Sequence, residues 1–305
     1  MKKMLAAFAV FLFLACQAPL AGADEAAPTE TWLDYVNYYR AMALLPPVVD
    51  NPAWGLDNVQ HAIYNVKNNR IQRTEDLDNP WYTPEGKVAA ESSNLYGSSY
   101  LDDTYRQAID SWMRGPFEAV GILDPELTAV GYGQYIEATG RDIQMAAGLD
   151  VIRGLAYGSA AVPFPVMWPA DGQVLPLTSF KVGLVDPHTS CPEFSGLEQD
   201  FGQAVILQLG AGEVVPQVTG HSLVRDGIAL EHCIFDETTY YNPDENLQYL
   251  GRVVLDMRDA VVLIPRDPLI PGATYTVSIT ANGQTYTWSF TVSETAQGAV
   301  PSQEE

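Results

Sequence analysis

The sequence predicts an α+β protein in which a part built of helices and strands is followed by an all-β part. The N-terminal prediction rests on apolar residues at the i, i+4, i+7 and i+8 spacing of one helix face, namely Tyr105, Ile109, Trp112 and Met113. Gly115-Pro116 ends this helix, and a strand-like run follows at 127–133. The C-terminal prediction rests on apolar alternation over 275–292, which turns at Asn282-Gly283 as a type I′ hairpin does.

The first residues, 1–23, have the pattern of a secretory signal peptide, because two lysines precede an apolar run at 4–16 and small residues follow. The run is about 13 residues long, which is too short to span a bilayer. Cys16 ends the run, so a second interpretation is a lipoprotein signal with lipid attached to Cys16. The sequence therefore predicts export to the periplasm, the cell surface or the medium, with membrane contact only through that lipid, and a linker at 24–30.

The composition limits the classes of partner. The chain has 305 residues with 38 acidic and 16 basic side chains, a formal net charge of −22. Its length and its 47% apolar residues are sufficient for two cores. Nucleic acids and anionic lipid surfaces require a Lys/Arg patch, which this composition disfavours, so we expect neither as a partner.

Two helices open the N-terminal part. Thr31 and Asp34 form a capping box, and Pro46-Pro47 ends the helix that follows. A second helix at 51–69 carries an apolar stripe of Leu56, Val59, Ile63 and Val66. His61 falls on the opposite, polar face beside Asn58 and Asn65, where we expect it to be solvated or bonded to a neighbouring group.

At this point the chain resembles a known family, the CAP superfamily of cysteine-rich secretory, antigen 5 and pathogenesis-related proteins, and its bacterial form in particular. One matching block has Asn37 and Arg40 in the first helix, with a Leu-Pro exit. The other block contains Trp112, Met113, Gly115, Pro116, Ile122, Leu123, Val130, Gly131 and Gly133. The resemblance implies an α/β/α CAP sandwich, which we place at residues 31–158.

The resemblance also implies a cleft, which in the family carries two histidines and two acidic residues and in some members holds a divalent metal. The corresponding positions here are Arg73, Ser93, Gly115 and Glu118, so none of the four is retained. We take as the candidate binding cleft Arg73, Glu75, Ser93, Asn94, Glu118 and His61. An Arg-Glu pair in this cleft would be a sensible replacement for a metal.

The replaced cleft favours a protein that recognises or scaffolds over an enzyme. The expected ligand is an extracellular peptide, glycan or lipid bound without catalysis. A first alternative is a cation-dependent hydrolase that uses Glu118 and Glu75. A second alternative, also implied by the resemblance, is lipid or sterol binding.

The acidic loops contain residues that could bind a metal ion. Zinc is a poor match without imidazole or thiolate, whereas an all-oxygen site suits Ca²⁺. The candidate calcium ligands are Glu75, Asp76 and Asp78, with Asp244 and Glu245 as a second place. The alternative is that these are solvated acidic loops in an acidic chain, and no other cofactor is expected.

The second domain is predicted at 159–293 as an Ig-like β-sandwich, after a Gly/Ala/Pro-rich boundary near 160. Besides the hairpin, its predicted strands are 203–209, 214–218, 251–255 and 260–264. The tail at 294–305 is polar and predicted to be disordered.

Two cysteines remain after the signal segment, Cys191 and Cys233, and in an exported chain we expect them to form a disulfide. Closing a loop of about 43 residues contributes on the order of 4 kcal/mol in the chain-entropy treatment. A catalytic Cys233 with His232 as its base is disfavoured, because adjacent strand residues face opposite sides. His188 and His221 have no metal-ligand spacing with each other.

Overall fold

The computed structural model describes residues 30–180, 186–194 and 200–297. From residue 31 onward these residues belong to one compact unit. The predicted signal peptide, the Cys16 lipidation site and nearly all of the linker lie outside the described residues. Among the described residues, no helix is both long enough and apolar enough to cross a bilayer.

The order of elements is that of an α+β protein. The helices are α1 Trp32–Met42, α2 Pro52–Asn68, α3 Pro84–Ser92, α4 Tyr105–Arg114, α5 Pro116–Ile122 and α6 Glu245–Asp256. The strands of the N-terminal part are β1 Val49–Asp50, β2 Ser93–Ser98, β3 Ala129–Ile136 and β4 Met145–Asp150. Those of the C-terminal part are β5 Val166–Trp168, β6 Val174–Leu177, β7 Val205–Gln208, β8 Val218–Arg225, β9 Ile228–Ala229, β10 His232–Phe235, β11 Ala260–Pro265, β12 Thr274–Ala281 and β13 Gln284–Gln297.

The N-terminal part is a three-layer α/β/α sandwich around a sheet of order β1-β3-β4-β2. Strand β4 is buried along its whole length because both of its faces are covered. Its Ala146 packs with Ala62 and Val66 of α2, whereas Met145 and Leu149 belong to the larger core on the other side, together with α1, α4 and α5. The predicted capping box of α1 is confirmed, since Thr31 and Asp34 bond each other's backbone N–H.

Helix α2 lies unusually close to β3 because glycines stand where the two elements touch. A Cβ at Gly133 would lie 2.3 Å from the Gly55 carbonyl oxygen, and one at Gly131 would lie 2.5 Å from Cβ of Trp54. Both distances are shorter than van der Waals contact allows. The Val-Gly-x-Gly strand is therefore a packing requirement of the helix-sheet contact.

The predicted apolar stripe of α2 is only partly buried, since Val66 lies in a core but the other members of the stripe do not. Leu56 of the supposed apolar stripe is 67% exposed, whereas Asn58, His61 and Asn65 on the polar face are buried. These side chains are used to satisfy backbone groups: Asn58 Nδ2 donates to the Gly131 carbonyl at 2.9 Å. Polar side chains are tolerated inside when they are hydrogen-bonded, so the polar stripe becomes the inner face.

The C-terminal part consists of two sheets, β10-β11-β7-β5 and β6-β13-β12-β8-β9, and is all-β apart from α6. The predicted hairpin is confirmed, with Ala281 paired to Gln284 and positive φ at Asn282 and Gly283. The strand predicted at 251–255 is wrong, because these residues lie in α6, which Asp244 caps. Most of 214–218 is irregular, and β8 begins only at Val218.

The C-terminal part contains a disulfide, and its last strand extends into the predicted tail. Cys191 and Cys233 form the predicted disulfide, with Cα atoms 5.6 Å apart. Strand β13 continues to Gln297, so the start of the predicted disordered tail is part of a strand. The remainder of that tail lies outside the described residues.

The two parts share one hydrophobic core. Strand β4 belongs to the sheet of the N-terminal part, and β5 is the first strand of the four-stranded sheet. Phe117 of α5 nevertheless packs edge-on against Tyr240 at a centroid distance of 4.9 Å. Gln203 and Gln208 reach across as well, and each donates from Nε2 to a backbone carbonyl of the N-terminal part.

Candidate functional site

The four positions at which the family resemblance places the cleft residues come together in the structure. Arg73 lies in the segment after α2, Ser93 begins β2, Gly115 joins α4 to α5, and Glu118 lies in the first turn of α5. Arg73 Nη1 donates to the Ser93 carbonyl oxygen at 3.0 Å. The chain therefore keeps the frame of the cleft with a different set of side chains.

Two polar atoms of this cleft are buried without a hydrogen-bond partner in the described part of the chain, Arg73 Nε and Ser93 Oγ. Ser93 is only 2% exposed. Leaving a buried donor unpaired costs about 1–3 kcal/mol. A ligand or water molecule that bonds to such an atom recovers this free energy, so the atoms mark candidate binding places.

Gly115 and Glu118 depend on each other. A Cβ added at Gly115 would lie 2.4 Å from Glu118 Oε2, so the carboxylate of Glu118 fills the space beside residue 115. The Glu118 pKa is raised by burial, while attraction to the Arg73 guanidinium lowers it. Burial is the larger effect, and the attraction to Arg73 offsets only part of it.

The next residues of β2 fix the backbone at Glu118 to the sheet. Asn94 is buried, and its Nδ2 donates to the Glu118 carbonyl oxygen at 3.0 Å. Trp112 Nε1 donates to the Leu95 carbonyl oxygen at 3.0 Å. Strand β2 is therefore bonded to α4 and α5, and Asn94 acts through positioning Glu118.

His61 and Glu75 form a second, separate cluster beneath the loop that connects α2 and α3. Of the two expectations for His61, bonding to neighbouring groups is confirmed and solvation is not, because the side chain is 1% exposed. His61 Nδ1 lies 2.8 Å from Glu75 Oε1, and Nε2 lies 2.8 Å from the Gln72 carbonyl oxygen. Glu75 Oε2 accepts from the Thr83 N–H at 3.0 Å.

These bonds leave His61 without a free nitrogen. A carbonyl oxygen only accepts, so Nε2 carries a proton, and Nδ1 shares a second proton position with Glu75. The ring can serve neither as a metal ligand nor as a general base while this network persists. We infer that the contact between His61 and Glu75 holds the loop that connects α2 and α3 against α2.

The candidate calcium residues are not brought together. Within the described ranges, no three His, Cys, Asp or Glu side chains are placed to hold one metal ion. Glu75 is bonded to His61 and Thr83, while Asp76 Oδ1 accepts from the Asp78 N–H at 3.0 Å. Asp244 caps α6. The cleft itself has no imidazole or thiolate, so its residues do not fit the divalent metal that some family members hold.

Sequence reasoning proposed the cleft through the family resemblance but missed two relationships between its residues. It did not foresee that Gly115 makes room for Glu118, although the paired change at these two positions was the available signal. It also grouped His61 and Glu75 with the cleft, because a buried polar helix face cannot be recognised from periodicity alone.

The comparison with known families agrees with this geometry. No curated protein shows significant similarity to the chain. Residues 33–146, which include α1 to β3 and the four cleft positions, match the model of the CAP family, described as the cysteine-rich secretory protein family. This part of the chain is therefore a CAP-family domain.

Proposed function

We propose that the protein is an exported recognition protein whose CAP cleft binds a polar segment of an extracellular peptide or glycan without catalysis. The observation that carries the proposal is the pair of buried, unpartnered atoms Arg73 Nε and Ser93 Oγ beside Glu118. Together they offer an N–H donor, a hydroxyl and a carboxylate. Amide and sugar hydroxyl groups, which both donate and accept, match this set.

The absence of imidazole from the cleft positions supports binding over chemistry. A metal-assisted hydrolase needs neutral nitrogen or thiolate ligands, or a set of oxygen ligands, around one ion. Here the Arg73 guanidinium takes the place of the metal ion. Its fixed positive charge can hold a carboxylate or carbonyl group, but it does not activate water. Hydrolysis through Glu118 and Glu75 receives no support, because both Glu75 oxygens are already bonded to His61 and Thr83. Lipid or sterol binding stays a prediction.

Export is part of the proposal. It is supported by the signal-like pattern of residues 1–23 and by the Cys191–Cys233 disulfide, since disulfides persist in oxidising compartments. Whether the chain is cleaved after Ala23 or lipidated at Cys16 is tested by the mass of the N-terminal peptide from the native host.

The binding proposal is tested by titrating the mature chain with N-acetylglucosamine oligomers and a library of short peptides, followed by calorimetry on each hit. Arg73→Met and Ser93→Ala should each weaken a true cleft ligand about tenfold or more, because each removes one hydrogen bond to a buried group. Arg70→Met is the matched control, since Arg70 is exposed on the same loop.

Two results would contradict the proposal. One is a ligand whose affinity is the same in wild type, Arg73→Met and Ser93→Ala. The other is turnover of a peptide or glycan that Glu118→Gln abolishes, which would make the cleft an active site.

A further inference from the structure

A second site lies in the C-terminal part, far along the chain from the CAP cleft positions. His221 belongs to β8 of the five-stranded sheet, and His232 begins β10 of the four-stranded sheet. Their rings meet where the chain passes from one sheet to the other. Nδ1 of His221 lies 2.8 Å from Nε2 of His232, with the ring planes at 82°.

The hydrogen bonds fix where the protons are. His232 Nδ1 lies 2.7 Å from the Leu230 carbonyl oxygen, which only accepts, so Nδ1 carries the proton. In the neutral ring, His232 Nε2 then carries a lone pair, and His221 Nδ1–H donates a hydrogen bond to it. The remaining nitrogen, Nε2 of His221, is unprotonated on an exposed side chain.

The arrangement of His232 is the one that metal-binding histidines adopt. Such histidines donate their second ring N–H to a carboxylate or a backbone carbonyl, which fixes the ring and the tautomer. The backbone that carries His232 is itself fixed, because β10 pairs with β11 and Cys233 is bonded to Cys191. The lone pair of His232 is therefore held in place before any ligand arrives.

We propose that His221 and His232 together chelate one divalent transition-metal ion, of which Cu²⁺ is the best fit. The two rings already lie within hydrogen-bond distance, 2.8 Å from His221 Nδ1 to His232 Nε2, so a rotation of the His221 ring brings two nitrogen lone pairs to one ion. Among the divalent first-row metals, Cu²⁺ binds such nitrogen sites most tightly.

Binding requires one change of tautomer and a small rotation of His221. The proton on His221 Nδ1 moves to Nε2, and the freed lone pair turns toward the ion beside that of His232. His232 Nδ1 keeps its proton and continues to donate it to the Leu230 carbonyl oxygen. No proton is lost overall, and the exposed His221 side chain has room to rotate.

The surroundings favour a cation at this place. The formal net charge of −22 attracts cations to the chain as a whole. His221 also lines a pocket of ≈ 390 Å³, together with Gln217, Asp236 and Thr239, which leaves space for water on the remaining coordination positions.

The test is calorimetric titration of the mature chain, with its disulfide intact, with Cu²⁺ in a non-coordinating buffer, combined with electron paramagnetic resonance. We expect one equivalent of copper with two nitrogen ligands and no displacement by a large excess of Ca²⁺, because Ca²⁺ prefers oxygen ligands. His221→Ala and His232→Ala should each weaken binding at least tenfold and remove one nitrogen from the spectrum.

Two controls make the result specific. His188→Ala removes an imidazole elsewhere in the chain, and Ser222→Ala changes the neighbour of His221 that faces the other side of β8. Neither should change copper affinity. The proposal is overturned if His221→Ala binds copper as tightly as wild type, if the spectrum shows oxygen ligands only, or if no equivalent binds. His221 is exposed, so its variant should fold even if His232→Ala does not.

Discussion

The Arg258 guanidinium lies 3.0 Å from the Asp124 carboxylate, measured from Nε to Oδ2, and both side chains are buried. Asp124 follows α5 of the CAP domain, whereas Arg258 follows α6 of the C-terminal part. The ion pair therefore joins the two parts inside their shared core. A buried ion pair is costly to break from one side, because the remaining charge is left unpaired.

We predict that Arg258→Met lowers the free energy of unfolding by about 3–5 kcal/mol. Adding Asp124→Asn should recover part of this loss, because the lone buried charge disappears while its hydrogen bond to the Glu126 N–H is kept. Urea unfolding of wild type, both single variants and the double variant measures the coupling. Strictly additive effects would contradict a direct interaction between the two side chains.

The shared core also predicts how the CAP domain behaves alone. A fragment of residues 31–158 loses the partners of Phe117, and the Met113 and Leu123 carbonyls lose the side-chain donors that now reach them. We expect the fragment to bind hydrophobic dye and to lack a cooperative thermal transition, measured by near-UV circular dichroism. A cooperative melt close to that of the whole chain would instead support two independently folding domains.

Glu237 should make the stability depend on pH. Burial raises its pKa to about 7, with further repulsion from Asp256, Asp259 and Asp236. The folded state therefore favours the protonated acid. Its stabilising contribution is complete below the ordinary pKa near 4.5 and is lost as the pH rises through about 7.

We predict that Glu237→Gln increases the free energy of unfolding at pH 8 by up to about 3 kcal/mol and has little effect at pH 4. Glutamine keeps the shape of the acid without the charge. Glu213→Gln is the control, because Glu213 is exposed and also faces Asp259. An equal gain for both variants, or a gain that persists at pH 4, would show that general charge removal is the cause.

The glycine contact between α2 and β3 gives a sharper stability test. We expect Gly133→Ala to cost several kcal/mol, since its Cβ would overlap the Gly55 carbonyl oxygen and the helix would have to move. Gly220→Ala is the matched control on a strand, because its Cβ would meet Thr280 at an ordinary 3.6 Å. Similar melting temperatures for the two variants would show that the helix can retreat from the sheet at little cost.

Local signals in the sequence predicted local structure well. The Thr31–Asp34 capping box and the Asn282-Gly283 turn depend on neighbouring residues only, and both form as predicted. The segment 251–255 was misassigned because its β-branched residues favour a strand, while the cap at Asp244 and the packing of α6 on α5 stabilise a helix. Tertiary contact decides such cases.

The candidate sites show the same difference between what local sequence predicts and what tertiary contact decides. Arg73, Ser93 and Glu118 could be grouped as candidates because a family pattern places distant positions together. The partners of His61 could not be foreseen, since Glu75 and Gln72 reach it through a loop of irregular course. The His221–His232 pair had no recognisable spacing either, because a crossing between two sheets brings the rings together.

The contact between α2 and β3 also bears on how functional divergence proceeds in such domains. Gly55, Gly131 and Gly133 set the distance between helix and sheet by backbone shape, without any reactive group. The cleft positions lie on other segments, so their side chains can be exchanged while this spacing is preserved. In this chain the glycines therefore preserve the scaffold, whereas the chemical role of the cleft depends on the side chains at its four positions.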